Sequence, residues 1–218
     1  MTITVNLNCK ILTQKLITHN PQLKITLAIL AGGKATRLGG INKALIEIEG
    51  DTIISKIHRA LGPICNEVII ISNQAQTDYR ISAKIYPDII ENCGPLGGIH
   101  SALLHSSNEI VLVVSCDMPF ISSNIANLLF DAYIKNQPKV DAVIPTLNGF
   151  NEPLLAIYSK RLSTKISEIL SDRKGHRITD LLDNCNTVKV EIEASPENIR
   201  SFTNINTFDD YNTFNSSI

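Results

Sequence analysis

The sequence predicts a three-layer α/β fold built on a mostly parallel sheet, and three observations predict it. Apolar runs rich in Ile and Val recur along the chain, segments with helical spacing alternate with them, and the runs are continuous rather than alternating. Continuous apolar character belongs to strands covered on both faces, the condition of a largely parallel sheet between layers of helices.

Taken in order, Ile25 to Leu30 is the first strand. Thr52 to Leu61 places Ile53, Ile54, Ile57 and Leu61 at helical spacing. Glu67 to Ile71 and the shorter Lys84-Ile85-Tyr86 read as strands, followed by a helix over Leu96 to Leu104. Ile110 to Val114 is the most apolar strand, and Ile125 to Ile134 the next helix. Ala142 to Ile144, Leu154 to Tyr158 and Val188 to Ile192 complete the strands. Short helices are expected at Ile166 to Leu170 and Ile178 to Leu182, with a terminal helix that Thr207 can cap. No repeat or low-complexity linker divides the chain, so one domain is expected over 25–218. Residues 1–24 lack a signal-like apolar core and cleavage site and read as a peripheral extension.

The bulk composition narrows the partners. A net charge of −1 gives no reason to expect nucleic acid or an anionic membrane. No window approaches the roughly eighteen uninterrupted apolar residues of a membrane helix. The five cysteines are odd in number and form no C-x-x-C pair, which fits buried thiols in a reducing cytoplasm. The five histidines show no metal-ligand spacing and read as structural.

Five stretches carry chemistry. Behind the first strand comes Ala31-Gly32-Gly33, then Arg37 and Lys43. The glycines let the backbone bend sharply and approach a ligand, and the free N–H groups of such a loop cradle an anion. The spacing matches neither the dinucleotide fingerprint nor the Walker loop. Arg37 and Lys43 can reach the same phosphates, the first as a fork and the second as a point charge. The competing reading is an ordinary glycine-rich turn with two solvated cations. Ser115-Cys116-Asp117-Met118-Pro119-Phe120 delivers an aspartate at the carboxyl end of the most apolar strand, where open α/β sheets collect ligands. A carboxylate there suits Mg²⁺ that also contacts substrate phosphates, whereas Ser122 is better placed to cap the next helix.

Tyr86-Pro87-Asp88 ends a short strand, and Gly94-Pro95-Leu96-Gly97-Gly98 opens a helix. Small residues there admit either a ligand or a tightly packed strand. Asn151-Glu152-Pro153-Leu154 precedes another strand. In Thr203-Asn204-Ile205-Asn206-Thr207, alternation puts Asn204 and Asn206 on one side, where two carboxamides suit a polar heterocycle.

In this order and spacing, LAGGKATRLGGINK, PD…GPLGGI, CDMPF, EPLLAIY and NINT resemble the molybdenum cofactor guanylyltransferase family, over Leu27 to about Tyr211. The resemblance implies a Rossmann-like fold of the nucleotide-diphospho-sugar-transferase type. It also implies transfer of GMP from GTP to the terminal phosphate of molybdenum-bound molybdopterin, with release of pyrophosphate. Leu30, Ala31, Gly32, Gly33, Lys43, Asp88 and Asp117 would contact GTP, with Asn73 near the guanine position. Arg37, Lys43 and Asp117 would form the catalytic set, Asp117 holding Mg²⁺, and Gly98, Arg177, Asn204 and Asn206 would lie on the pterin side. Molybdenum-insertion proteins and acceptor molybdoenzymes or their chaperones would be further partners.

A cytidylyltransferase of the same fold, acting on molybdopterin or a sugar-like alcohol phosphate, is the nearest alternative. A dinucleotide oxidoreductase lacks its third glycine and its acidic residue after the second strand, where Ile71-Ser72-Asn73 stands. A binding module without catalysis would have no need of Arg37, Lys43 and Asp117 together.

Overall fold

The computed structural model describes residues 2–4, 23–32, 42–74, 76–171 and 177–215. Strand β1 is Thr2–Thr4 and β2 is Ile25–Leu30. After a 3₁₀ turn at Lys43–Leu45 comes a small ribbon of β3 (Glu47–Ile48) and β4 (Asp51–Thr52), then helix α1 (Ile53–Leu61). The chain continues through β5 (Glu67–Ile71), β6 (Lys84–Tyr86), α2 (Gly94–His105), β7 (Ile110–Ser115) and α3 (Ser123–Lys135). The last third holds β8 (Ala142–Leu147), β9 (Phe150–Asn151), β10 (Leu155–Ser159), α4 (Leu162–Ser171) and α5 (Ile178–Leu182). It closes with β11 (Thr187–Ile192), α6 (Pro196–Ser201) and α7 (Phe208–Asn215).

Local chemistry starts and stops these elements. The Thr52 hydroxyl accepts from the Ser55 amide to start α1, and Ser122 accepts from Asn124 to start α3. Gly94 sits at φ +59°, a left-handed turn that suits glycine, and Pro95 behind it fits the first turn of α2. Thr207 Oγ1 accepts from the Asp210 amide while Asp210 Oδ2 accepts from the amides of Asn206 and Thr207. That reciprocal box starts α7.

The main sheet runs β1-β11-β8-β10-β7-β2-β5-β6, with β9 hairpinned onto β8. β7, β2, β5 and β6 pair in parallel, as do β1, β11 and β8, and β10 lies antiparallel between β7 and β8. Residues Ile25 to Leu30 and Ile110 to Val114 are buried at every position, as their nearly continuous apolar character predicts, with Thr26 the one polar residue among them. One face is covered by α1 and α3, with Ile205, Tyr211 and Phe214 from the end of the chain. The other is covered by α2, α4 and α5. The three-layer expectation therefore holds, and the sheet is mixed only at β9 and β10. Gly97 lies so close to the loop before α2 that a Cβ would stand 2.9 Å from Cys93 Cβ and 3.2 Å from the Ile90 carbonyl.

From β2 the chain moves outward through β5 and β6, then returns to the other side of β2 as β7. The strand order reverses there, so the loops after β2 and β7 diverge and open a crevice at the carboxyl edge.

Candidate active site at the carboxyl edge of the sheet

Four parallel strands deliver their following loops to this edge side by side. The end of β2 is tied to both neighbours: the Ala31 amide donates to the Ile71 carbonyl (2.9 Å) and the Cys116 amide to the Leu30 carbonyl (3.1 Å). Leu30 and Ala31 are buried, Gly32 is exposed, and a Cβ on Gly32 would come 3.9 Å from Asp88 Oδ2. Gly33 and Arg37 lie outside the described residues.

The chain re-enters at Asn42, which is fastened on several sides. Its Oδ1 accepts from the Ala44 amide (3.0 Å), and its Nδ2 donates to Gln74 Oε1 (2.8 Å) and Tyr79 Oη (3.2 Å). Tyr79 in turn donates to Ser72 Oγ (2.8 Å), so the far end of the glycine loop is anchored to the end of β5. The backbone that carries Lys43 is thereby set before any ligand arrives.

After β5 and β6, Asn73 and Asp88 hold one another. Asn73 Nδ2 donates to Asp88 Oδ2 (3.0 Å), and the Asp88 amide donates to Asn73 Oδ1 (2.8 Å). Asn73 therefore orients Asp88 in this arrangement. Partial burial pushes the Asp88 carboxyl above the usual aspartate range, and its Oδ1 is buried without a hydrogen-bond partner. His105 stacks on Tyr86 with ring centroids 4.2 Å apart, which steadies the strand end beneath Asp88.

Asp88 has a consequence for stability. Its raised value means that folding disfavours its charged form, so the residue opposes folding above its folded-state pKa, and the penalty fades as pH falls through the ordinary aspartate range. Asp88→Asn should therefore melt at the same temperature or higher at pH 7, the difference closing in acid. Melting curves at pH 7 and pH 3.5 check the prediction.

The loop after β7 brings distant segments together. The Asp117 carbonyl accepts from the Ile205 amide (2.8 Å), so the Asn204-Ile205-Asn206 segment is pinned beside the carboxylate. Lys43 Nζ donates to Asn206 Oδ1 (2.9 Å), a contact between residues 163 positions apart. Beyond it, the Phe120 ring has the Arg200 guanidinium 4.2 Å from its centroid and the Phe214 ring 4.9 Å away, which docks the end of the chain against this loop.

A second carboxylate completes the edge. Glu152 Oε1 accepts from the Leu154 amide (3.1 Å), while the Ser115 amide donates to the Leu154 carbonyl (2.8 Å). Burial, with the Asp117 charge adding to it, pushes the Glu152 carboxyl upward, and hydrogen bonds from the Leu154 amide and the Asn204 side chain oppose the shift. Asn204 Oδ1 is itself buried without a partner. Burial likewise pushes the Cys116 thiol up to about 12, with the Asp117 charge adding to it. That thiol stays protonated at neutral pH, so it offers no thiolate nucleophile.

The structure thus brings together Leu30, Ala31, Gly32, Lys43, Asn73, Asp88, Asp117, Asn204 and Asn206 along one edge. Gly98 is buried, and a Cβ there would meet Leu30 Cδ1 at 3.3 Å, so this glycine seats α2 against the end of β2. Arg177 is exposed at the head of α5, whose Leu181 packs on the face away from Ile205. Glu152 is the site residue with no signal in the sequence, since a lone glutamate before proline says nothing of the Asp117 charge that acts on it.

Residues 27–187 match the model of the MobA-like NTP transferase domain. A probable molybdenum cofactor guanylyltransferase of Clostridium perfringens is 36% identical over 197 residues, covering 87% of this chain and 95% of that protein. Among solved structures, the molybdopterin-guanine dinucleotide biosynthesis protein A of Archaeoglobus fulgidus aligns with a TM-score of 0.73 at 25% identity, covering 88% of this chain and 97% of its own. A cytidylyltransferase from Leptospira borgpetersenii aligns with a TM-score of 0.65 at 18% identity, covering 89% and 86%, a likeness of fold alone.

Proposed function

This chain belongs to the MobA-like NTP transferase family, and on that premise we propose that it transfers GMP from GTP to the terminal phosphate of molybdopterin, releasing pyrophosphate. The product is the guanine dinucleotide form of the cofactor. One observation of the site carries the reading: Lys43, at the end of the glycine loop, is hydrogen-bonded to Asn206, beside the segment pinned to Asp117. The phosphate-binding side and the acceptor side therefore meet at one point, as joining two phosphates requires.

In the reaction, an oxygen of the acceptor phosphate forms a bond to the α-phosphorus of GTP as the bond from that phosphorus to the bridging oxygen of pyrophosphate breaks. A phosphate monoester is already a competent oxygen nucleophile, so no covalent enzyme intermediate is needed. The protein's contribution is alignment and charge neutralisation. Lys43 stabilises the charge that collects on the transferring phosphate, and Arg37 would do so from the same loop. Asp88, oriented by Asn73, and the exposed backbone of Gly32 form the nucleoside side.

The donor set at this edge fits a hard divalent cation. Asp117 is a hard carboxylate donor at the end of β7, and its charge adds to burial in raising the pKa of Glu152. Among the described residues no group of three or more His, Cys, Asp or Glu side chains is placed to hold a metal ion by itself. That suits a cation completed by substrate phosphates and water. Asp117 would hold Mg²⁺, which would neutralise charge on the transferring phosphate and on pyrophosphate.

Molybdenum already bound to the acceptor, partnership with molybdenum-insertion proteins and acceptor molybdoenzymes or their chaperones, and a cytoplasmic site belong to the same proposal. Among the described residues no helix is long and apolar enough to cross a membrane, and Cys65, Cys93, Cys116 and Cys185 are free thiols, as a reducing compartment would keep them.

The experiment is incubation with molybdopterin, Mg²⁺ and one of GTP, CTP or ATP, scoring the nucleotide attached and the pyrophosphate released. GMP attachment is expected, and preferential CMP attachment would overturn the reading in favour of a cytidylyltransferase. The N-terminal extension should be dispensable for this turnover, since every stretch that carries the site begins at or after Leu27. A chain starting at Lys24 loses the edge pairing of β1 with β11, which spans three residues. We expect full turnover and a melting temperature lower by about 2–4 °C, the equivalent of roughly 1 kcal/mol in a chain of this size. Lost turnover in a folded truncation would assign the extension to the site.

A further inference from the structure

The β8–β9 hairpin rises from the carboxyl edge beside the acceptor half of the site. Its two-residue loop, Asn148-Gly149, has φ +51° and +81°, the type I′ geometry that matches the twist of paired strands. Thr146 pairs with Asn151 and Leu147 with Phe150, and Thr146 Oγ1 donates to Asn151 Oδ1 (3.1 Å). The Glu152 amide continues the ladder to the Pro145 carbonyl (3.0 Å). The hairpin is therefore short, tightly registered and rigid.

What it holds rigidly is an aromatic ring in water. Phe150 is 79% exposed, the most of the exposed large hydrophobic side chains among the described residues. Directly paired residues share a face, so Phe150 lies on the side of Leu147, which packs toward the cluster that contains Ile205. Alternation returns Glu152 to that same side. There the Glu152 carboxylate and the unpartnered Asn204 Oδ1 are both hydrogen-bond acceptors.

We propose that Phe150 is the stacking platform for the pterin ring of the acceptor, and so a specificity-determining residue of this enzyme. The inference rests on the reading of the reaction given above. A flat 2-amino-4-oxo heterocycle has a π face for the phenyl ring and an edge of N–H donors. Phe150 supplies the face, and Glu152 with Asn204 supplies acceptors on the same side. The reacting phosphate at the other end of the molecule then points toward Asp117 and Lys43. The hairpin's rigidity lowers the entropy cost of offering the ring.

Phe150→Ala should raise KM for molybdopterin about tenfold, within the range for removing one aromatic under a stacked base. KM for GTP and kcat should stay within twofold, and Phe150→Tyr should restore the acceptor KM. The chain contains no tryptophan, so Phe150→Trp places a single reporter at the platform. Its emission should be quenched by titration with pterin, after correction against free tryptophan amide, and not by GTP. An unchanged acceptor KM in Phe150→Ala, in a preparation whose wild type transfers GMP, would overturn the proposal. So would a dimer in sedimentation velocity that Phe150→Ala abolishes with no change in acceptor KM, which would make the ring an interface between copies. Failure of the wild type to transfer GMP would instead strike the proposed function, and the tryptophan titration would still report on the platform.

Discussion

Asp117→Asn is expected to lower kcat on the order of 10²-fold or more while leaving KM for GTP nearly unchanged, the usual scale for losing one electrostatic stabiliser of a transition state. The substitution keeps the shape and a neutral oxygen but removes the charge that a hard divalent cation prefers. The main-chain carbonyl that holds Ile205 is untouched, so the acceptor segment stays in place. The fold should not suffer either. Asp117 is only partly buried, and its charge acts against Glu152, whose carboxyl it helps to push upward. Removing a like charge relieves that pair rather than breaking a favourable one. Kinetics across a Mg²⁺ titration, with circular dichroism as the fold check, measure the effect. Unchanged kcat at limiting Mg²⁺ would move the metal to another carboxylate of the edge, Asp88 first.

Lys43→Ala should cost about 10- to 100-fold in kcat/KM for GTP, the kinetic equivalent of one charged hydrogen bond to phosphate. Its hydrogen bond to Asn206 is exposed, so the loss of that contact should leave the melting temperature within a degree or two. Lys43→Arg should recover part of the activity, because the charge returns on a different geometry. The acceptor side supplies the sharper readout. With Lys43 gone, Asn206 loses its tie to the glycine loop, and KM for molybdopterin should rise along with that for GTP. A rise confined to GTP would mean that the Lys43–Asn206 contact is replaced when the substrates bind.

Much of the fold was legible because its signals are local. The strands Ile25–Leu30, Glu67–Ile71 and Ile110–Ser115 are dominated by Ile, Val and Leu, and the burial of most of their positions follows from composition over five or six residues. The Thr207 cap and the Ser122 cap are written in a hydroxyl and the amide two or three residues on. Several short elements escaped, β1, β3, β4, β9 and α6 among them. Helix α6 carries Pro196, Glu197 and Asn198 at its start and only one fully buried residue, Ser201, so no apolar stripe announces it. Strand β9 is two exposed residues and exists through its pairing with β8.

The site divides along the same line. The residues of the edge could be named in advance because each stands at a position with its own chemistry: a glycine after a strand, an aspartate at the end of the most apolar run, two asparagines at period two. Their partners could not. That Asn73 clamps Asp88 across 15 positions, that Asn42 ties the glycine loop to Gln74 and Tyr79, and that Lys43 reaches Asn206 all depend on which strand ends lie side by side. Strand order is not a local property. It follows from how the helices cover both faces of the sheet and where the chain doubles back across β2. For the same reason Glu152 took on meaning only in the folded chain. Residue type made it an acceptor, but the antiparallel pairing of β10 with β7 set the segment before β10 beside the end of β7, where burial and the Asp117 charge both push its carboxyl upward.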